Sequence, residues 1–279
     1  PDEHHEVHKA NVQYPERPVE THKAWKEMQH RYLGGILLIL TFVLMVWGYK
    51  RYQRGDTSDV VLPFVLFGVI CFQALLGMWT VTWKVMPLVV TAHLLVGLLT
   101  LCLLVWLCLQ HSGRLRKAPV VRLVQYKAIA LAAMVMLCVQ IFLGGWTSTN
   151  YAAVACEELP TCHAGLFMPA QMDYVGAYDM THEIGKNYEY ATHITEAQKQ
   201  TIHVTHRLGA VLTLCLLLYL AVCFMKQPAL KYWGYGLVVA TTAQFCIGAA
   251  LVYFQLPLAL AVLHNGGAAV LLTLLLIML

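Results

Sequence analysis

The sequence predicts an all-α integral membrane protein built from two pseudo-symmetric four-helix bundles in tandem. Three observations lead to this prediction. Of the 279 residues, 59% are hydrophobic and 12% are charged, whereas soluble domains carry about 25% charged residues. Apolar runs of about 20 residues, the length that spans a bilayer, recur along the chain. Histidine, glutamine and glycine also recur in the same order in both halves.

Seven membrane spans are predicted from the apolar runs. Each run is long enough for an α-helix to cross the hydrocarbon layer, and none shows the alternating pattern of a membrane β-strand. The spans cover residues 32–49, 60–82, 86–109, 128–147, 204–225, 232–254 and 258–279.

Positive charge is concentrated in one set of connections between these spans. The Lys and Arg residues of this set are Lys50, Arg51, Arg54, Arg114, Arg116, Lys117, Arg122, Lys127, Lys226 and Lys231. Because basic loops remain in the cytoplasm, residues 1–29 and the long loop over 148–203 are expected outside. The net charge of +4 reflects this sidedness, and no nucleic-acid partner is predicted.

Two of the nine cysteines, Cys156 and Cys162, differ from the others in their position. They share the long outer loop in the stretch CEELPTC, whereas the other seven lie inside predicted spans. An oxidising outer compartment retains disulfides, so a bond between these two is expected. Two free thiols, or a transient metal or redox site, are the alternatives.

A motif of glutamine, glycine and histidine occurs in both halves. Gln-x-x-x-Gly appears as QALLG and as QFCIG, and each glutamine is followed 20 residues later by a histidine, His93 and His264. A His-Arg pair precedes each copy, at residues 30–31 and 206–207. Matches of several parts in the same order indicate a tandem repeat.

The repeat also predicts the domain organisation. A third Gln-x-x-x-Gly, within QIFLGG at 140–145, opens the second half, so one further span is expected before Pro1 in an eight-span protein. The predicted parts are an amino-terminal half-bundle at 1–110, a cytoplasmic linker at 111–127 and a carboxyl-terminal bundle at 128–279.

The four repeated histidines indicate haem. His30 and His206 lie near the outer ends of their spans, and His93 and His264 lie about 10 Å along theirs. Ionisable groups inside a membrane are costly and are usually functional, and two imidazoles facing each other across a bundle suit a haem iron. A zinc or copper site needs three or four clustered ligands, and the C-x-x-C-H of covalent haem attachment is absent from the sequence.

Residues beside these histidines leave alternatives open. His203 lies three residues before His206 and is either a rival ligand or a supporting group, but only His206 aligns with His30. Arg31 and Arg207 follow the histidines, and their guanidinium groups match haem propionates or the lipid headgroups. The Gln-x-x-x-Gly motifs predict close helix packing with glutamine bonds between helices, or space for a flat macrocycle.

Glu27 marks a difference between the halves. It lies one helical turn before His30, at the position that His203 occupies in the second half. A carboxylate there can move protons or stabilise a cation, and an ordinary interfacial carboxylate is the alternative. The difference predicts that one haem site is chemical and the other is an electron relay.

Several stretches resemble the haem A synthase family over essentially the whole chain. They read EMQHRYLGG, QALLGMWTV, GGWTSTNYAAVACEELPTC, MDYVGAYDM and TIHVTHRLGA, and they are most similar to the proteobacterial and mitochondrial members. The resemblance implies an enzyme of the bacterial inner membrane with its cysteine loop in the periplasm. Such an enzyme oxidises a ring methyl of haem O to a formyl group and supplies haem A to terminal oxidases.

The resemblance also implies roles for individual residues. It implies that His206 and His264 bind the iron of a haem b cofactor and that His30 and His93 bind the iron of the substrate haem O. It also implies that Glu27 is the catalytic residue. Candidate partners are haem O synthase and assembly factors of terminal oxidases, and a homo-oligomer stays open.

Two other functions are weighed against this one. A dihaem b cytochrome that moves electrons between a quinone and an outer acceptor would share the four histidines but would not need Glu27. A transporter built on an inverted repeat is disfavoured, because the two halves run in the same direction.

Overall fold

A computed structural model describes most of the chain. The described residues are 3–13, 15, 18–56, 60–112, 124–162, 165–169, 171–181 and 194–279. Most of the predicted linker, with Arg114, Arg116, Lys117 and Arg122, lies outside them.

Within the described ranges the chain forms helices and no strand. The helices are α1 (His4–Gln13), α2 (Thr21–Gln53), α3 (Val61–Thr82), α4 (Pro87–His111), α5 (Val124–Thr149), α6 (Tyr174–Ala177), α7 (Glu196–Met225), α8 (Lys231–Tyr253) and α9 (Leu258–Met278).

Seven of these helices, α2 to α5 and α7 to α9, are long and apolar enough to cross a membrane. Each coincides with one predicted span, so the all-α membrane class and the seven spans are confirmed. Two helices begin earlier than their apolar runs, α2 at Thr21 and α7 at Glu196. Their first turns hold polar and charged residues that form helix well but do not count towards an apolar run.

The described structure divides into two compact units, residues 1–74 and 75–279. The first contains α1, α2 and the first part of α3. Inside this unit the rings of Phe42 and Phe67 pack with their centroids 5.6 Å apart. The tandem arrangement of two bundles and the domain boundaries stay predictions.

In the second unit, α5, α7, α8 and α9 form a closed four-helix bundle. Each helix packs against the next around the ring, and α4 lies against α5 and α9. Because lipid is as apolar as the helix surfaces, close packing stabilises such a bundle. Its buried core includes Ala133, Leu137, Leu217, Leu220, Phe224, Leu237, Leu271 and Leu275.

The amino-terminal end of α7 is fixed by a network of hydrogen bonds. Thr195 and Gln198 form a capping box, which satisfies backbone N–H groups that the first turn leaves free. The Gln198 side chain also donates to Asp173 Oδ2 over 2.8 Å, and the Asp173 N–H donates to Thr201 Oγ1 over 3.0 Å. Trp146 Nε1 donates to the Ala177 carbonyl over 2.9 Å, which ties α5 to the same outer segment.

Two turns between helices share one backbone conformation. Val85 and Leu256 have φ angles of 61° and 60°, a region that residues other than glycine rarely adopt. Their N–H groups donate back to the carbonyls of Thr80 over 2.7 Å and Leu251 over 2.8 Å. Each turn lies between a helix that carries Gln-x-x-x-Gly and a helix that carries a motif histidine. The turns thus follow the sequence repeat, and they set where α4 and α9 begin.

Candidate functional site

His206 and His264 come together inside the carboxyl-terminal bundle. His206 lies on α7 and His264 on α9, two helices that are diagonally opposite in the ring of four. Both side chains are half-buried. Two imidazoles on opposite helices can approach one ligand from its two sides.

Each Gly of a Gln-x-x-x-Gly motif packs against a histidine ring. A Cβ placed on Gly144 would lie 3.1 Å from Cε1 of His206, and one placed on Gly248 would lie 3.0 Å from Cε1 of His264. Gly77 stands in the same relation to His93, at 3.1 Å. The missing side chain therefore makes room for an imidazole. This supports the close-packing interpretation of the motif and not the macrocycle interpretation.

The glutamine of the motif holds the same histidine by its backbone. Gln140 Nε2 donates to the His206 carbonyl over 3.0 Å, and Gln244 Nε2 donates to the His264 carbonyl over 2.9 Å. Each glutamine oxygen in turn lies over a glycine three residues after the histidine, Gly209 or Gly267, and a Cβ at that glycine would force the amide end of the glutamine to shift.

We call each such set a Gln–His clasp. One clasp consists of Gln140, Gly144, His206 and Gly209, and the other consists of Gln244, Gly248, His264 and Gly267. In each clasp the motif glycine makes room for the imidazole, and the glycine after the histidine makes room for the glutamine amide. The sequence analysis identified the glutamines and the motif glycines but missed their partners. The glycine three residues after each histidine was the available signal.

Gly145, the neighbour of Gly144, faces a different helix. A Cβ on Gly145 would lie 3.1 Å from Cδ2 of Leu94 and 3.2 Å from Cγ2 of Thr91, both on α4. Thr91 Oγ1 also lies 3.3 Å from Thr149 Oγ1 on α5. Two adjacent glycines thus let α5 approach the helix of His206 on one side and the helix of His93 on the other.

His203 is occupied by other contacts. It is 3% exposed, its Nδ1 lies 3.2 Å from the backbone N–H of Cys156, and Arg207 Nε donates to its Nε2 over 3.1 Å. Because both ring nitrogens face donors within the protein, neither is available to a ligand. This arrangement supports the choice of His206 over His203.

Arg207 holds the cysteine loop. Its Nη1 donates to the carbonyls of Glu158 and Thr161, each over 2.9 Å, and its Nη2 donates to the Cys156 carbonyl over 2.8 Å. Cys156 and Cys162 form a disulfide and are buried, so the disulfide prediction is confirmed. The structure places Arg207 in a supporting role here, and its contact with a propionate stays a prediction.

Glu27, His30 and Arg31 lie together on α2 in the first unit. Arg31 Nη2 donates to Glu27 Oε1 over 2.5 Å, and both side chains are about half exposed. His30 is exposed. His93 belongs to the second unit, so its pairing with His30 stays a prediction.

Two titratable groups outside the membrane spans have shifted pKa values. The Gly176 N–H and the Gln198 side chain stabilise the carboxylate of Asp173 and lower its pKa. Burial raises the pKa of the Tyr178 hydroxyl. Tyr178 stacks on Trp146 with ring centroids 6.4 Å apart, so both groups belong to the segment that covers the outer end of α7.

The donor set of this site fits a haem better than a bare metal ion. Among the described residues, no group of three or more His, Cys, Asp or Glu side chains is arranged to hold a metal. A structural zinc site would need four such ligands. A haem needs only axial ligands from the protein, and two histidines supply them.

Fold and site together define an all-α membrane protein whose helical bundle presents a pair of histidines on opposite helices. The model of the COX15-CtaA family, cytochrome oxidase assembly protein, matches residues 1–276. The chain belongs to this family.

Relatives with a printed function agree with this assignment. A protein of Shewanella oneidensis named Heme A synthase is 39% identical over 274 residues, which cover 98% of this chain and 80% of the relative. Proteins of the same name from Bacillus cereus and Bacillus anthracis are 25% identical over 248 residues, covering 86% of this chain and 70% of each relative.

Proposed function

We propose that this protein is a haem A synthase, which oxidises a ring methyl of haem O to a formyl group. The observation that carries the proposal is the half-buried pair of His206 and His264, each ring seated on a motif glycine. Family membership and the name of the relatives give the reaction to which such a site belongs.

His206 and His264 would hold a haem b cofactor. Gln140 lies beside Nδ1 of His206, so Nε2 is the ring nitrogen that would bind the haem iron. Once bound, the haem supplies one-electron transfer at an iron held by two imidazoles. The two clasps orient the rings, and the apolar helices around them exclude water.

The substrate haem O would be held by His30 and His93. Their pairing follows from the repeat, in which His30 corresponds to His206 and His93 to His264. Two successive two-electron oxidations, each adding one water-derived oxygen and releasing two protons to solvent and two electrons to an external acceptor, would give a hydrated aldehyde, which loses water to leave the formyl group. Glu27, one turn before His30, would stabilise positive charge at the reacting carbon or accept its proton. The bond from Arg31 orients that carboxylate.

The site would lie at the outer side of a bacterial inner membrane. Basic connections stay in the cytoplasm, so the disulfide loop and the outer end of α7 would face the periplasm. In this position the enzyme could receive haem O from its synthase within the bilayer. It would pass haem A to factors that assemble terminal oxidases.

The direct test is haem conversion in membranes. The chain is expressed in a host that makes haem O but no haem A, and extracted pigments are separated by chromatography and identified by mass. We expect haem A in these membranes and none in membranes with the empty vector. A purified protein that holds haem b while all haem O stays unconverted would contradict the proposal and favour a dihaem cytochrome.

A further inference from the structure

We propose that Gln140 is a positioning residue that controls how strongly His206 donates to the iron of a bound haem. The inference rests on the haem b site of the proposed function, but it does not depend on the oxidation of haem O. It follows from a difference between the two Gln–His clasps, which are otherwise alike.

Gln140 contacts its histidine twice. Its Nε2 lies 3.0 Å from the His206 carbonyl oxygen and 2.9 Å from Nδ1 of the His206 ring. Gln140 therefore acts on the ring itself as well as on the backbone.

Gln244 contacts its histidine once. Its Nε2 donates to the His264 carbonyl over 2.9 Å, while the buried Nδ1 of His264 has no hydrogen-bond partner in the described part of the chain. The two imidazoles on opposite helices of the bundle thus have unequal surroundings. In His206 a glutamine contacts the ring nitrogen Nδ1, and in His264 the corresponding glutamine does not.

The chemistry of imidazole gives this difference a consequence. A neutral ring carries one proton, so a ring that binds iron through Nε2 carries its proton on Nδ1. The group that receives that proton fixes the ring and makes it a stronger electron donor. Among the described residues, Gln140 is the side chain beside Nδ1 of His206, and its oxygen can receive the proton whereas its nitrogen is itself a donor.

Binding of a haem iron at Nε2 would therefore require the amide to turn. With its nitrogen on Nδ1, Gln140 favours the tautomer that carries the proton on Nε2, and among the described residues its buried oxygen has no hydrogen-bond partner. Rotation by half a turn brings that oxygen to the Nδ1 proton at the expense of the bond to the His206 carbonyl. The orientation of Gln140 and the ligation of iron by His206 are consequently coupled.

A reduction potential detects this coupling. An acceptor on the Nδ1 proton enriches the ring in electrons, stabilises ferric iron and lowers the midpoint potential. Gln140→Glu, which keeps the shape and offers a full carboxylate, should lower the potential. Gln140→Leu, which offers no acceptor, should raise it.

The experiment uses the purified full-length chain with its bound haem, in a spectroelectrochemical cell. The wild type, Gln140→Glu, Gln140→Leu and Gln244→Leu are compared. We expect opposite shifts for the two Gln140 variants and a smaller shift for Gln244→Leu, because Gln244 does not contact a ring nitrogen. The largest g value of the ferric low-spin signal should move in opposite directions in the same two variants.

Gln227→Leu is the matched control for loss of a glutamine bond between segments. Gln227 donates to the Tyr126 hydroxyl over 3.0 Å, away from both clasps, so the potential should not move. Equal potentials in all Gln140 variants, or shifts of the same sign in Gln140→Glu and Gln140→Leu, would overturn the inference. If Gln140→Leu does not accumulate in the membrane, the test rests on Gln140→Glu. A midpoint potential and a largest g value equal to those of the wild type would then overturn the inference.

Two histidine variants separate this inference from the proposed function. Loss of haem from both His206→Ala and His264→Ala, with unmoved potentials in the Gln140 variants, would overturn the inference and leave the site intact. Retention of the same haem signal in both histidine variants would overturn the site itself, and the inference with it.

Discussion

Arg207 donates a hydrogen bond from Nη2 to the carbonyl of Cys156 over 2.8 Å, which joins the helix of a candidate haem ligand to the disulfide loop. Two further bonds from Nη1 reach Glu158 and Thr161. The planar guanidinium donates hydrogen bonds to three carbonyls at once. The single ammonium group of a lysine side chain cannot reproduce this geometry.

Arg207→Lys should therefore loosen the loop around the disulfide. Hydrogen bonds to charged groups contribute about 1.5–3 kcal/mol each, and partial exposure reduces that figure, so we expect at least about tenfold faster reduction of the disulfide. The rate is followed by alkylation and mass after addition of a membrane-impermeant thiol. Arg54→Lys at the far end of α2 is the control, and equal rates in both variants would show that Arg207 does not hold the loop.

Gly144→Ala should weaken haem binding. The new Cβ would lie 3.1 Å from the His206 ring, and a ring forced off its rotamer costs about 0.5–1.5 kcal/mol, roughly two- to tenfold in affinity. Haem binding to the apoprotein is measured by absorbance. Gly68→Ala is the matched control, since a Cβ there meets nothing within 4 Å, and a loss as large in that variant would contradict the prediction.

Glu27→Gln should stop chemistry and leave the cofactor site unchanged. The amide keeps the size of the carboxylate but not its charge, and loss of a general acid–base or electrostatic role costs about 10²–10⁴-fold in rate. Haem A is measured in membranes beside the spectrum of the bound haem b. Glu20→Gln is the control, because Glu20 at the N-cap of α2 also forms an exposed ion pair, with Lys23 at 2.7 Å. Normal haem A formation by Glu27→Gln would leave Glu27 an interfacial carboxylate.

His30→Ala and His93→Ala should impair retention of the substrate. Each removes one proposed axial ligand of haem O, while His206 and His264 remain. We expect less haem O in the purified variants at an unchanged haem b signal. Full retention of haem O in both variants would show that other residues hold the substrate.

The outer segment should loosen in acid through Asp173. Its pKa is lowered in the folded protein by the Gly176 N–H and by Gln198, so its contribution to stability is complete above the ordinary value of 3.8 and declines as the pH falls through the lower, folded value. Pepsin cleavage within 171–181 should rise over this range in the wild type relative to Asp173→Asn. Parallel cleavage profiles for both proteins would exclude Asp173 as the cause.

Several features could be predicted from the sequence because each has a local signal. Apolar runs placed the seven membrane helices, and the position of Cys156 and Cys162 in one loop expected in an oxidising compartment predicted their bond. The repeat favoured His206 over His203, and the contacts of His203 with Cys156 and Arg207 support that choice.

Other features have no local signal. Arg207 is bound by backbone carbonyls, which every residue possesses, so no sequence pattern identifies its partners. The contact between Gly144 and His206 depends on the axial register of α5 against α7, which packing determines. The beginning of α2 at Thr21 was missed because the polar first turns of a helix contain no apolar run.

The pair Gly144 and Gly145 also has a consequence for inheritance. Any missense change at a glycine codon installs a larger residue, because no amino acid is smaller. At position 144 the new side chain would press on an imidazole, and at position 145 it would press on the neighbouring helix α4. Missense changes at two adjacent codons would therefore give defects of different kinds, one in cofactor binding and the other in the position of the helix of His93.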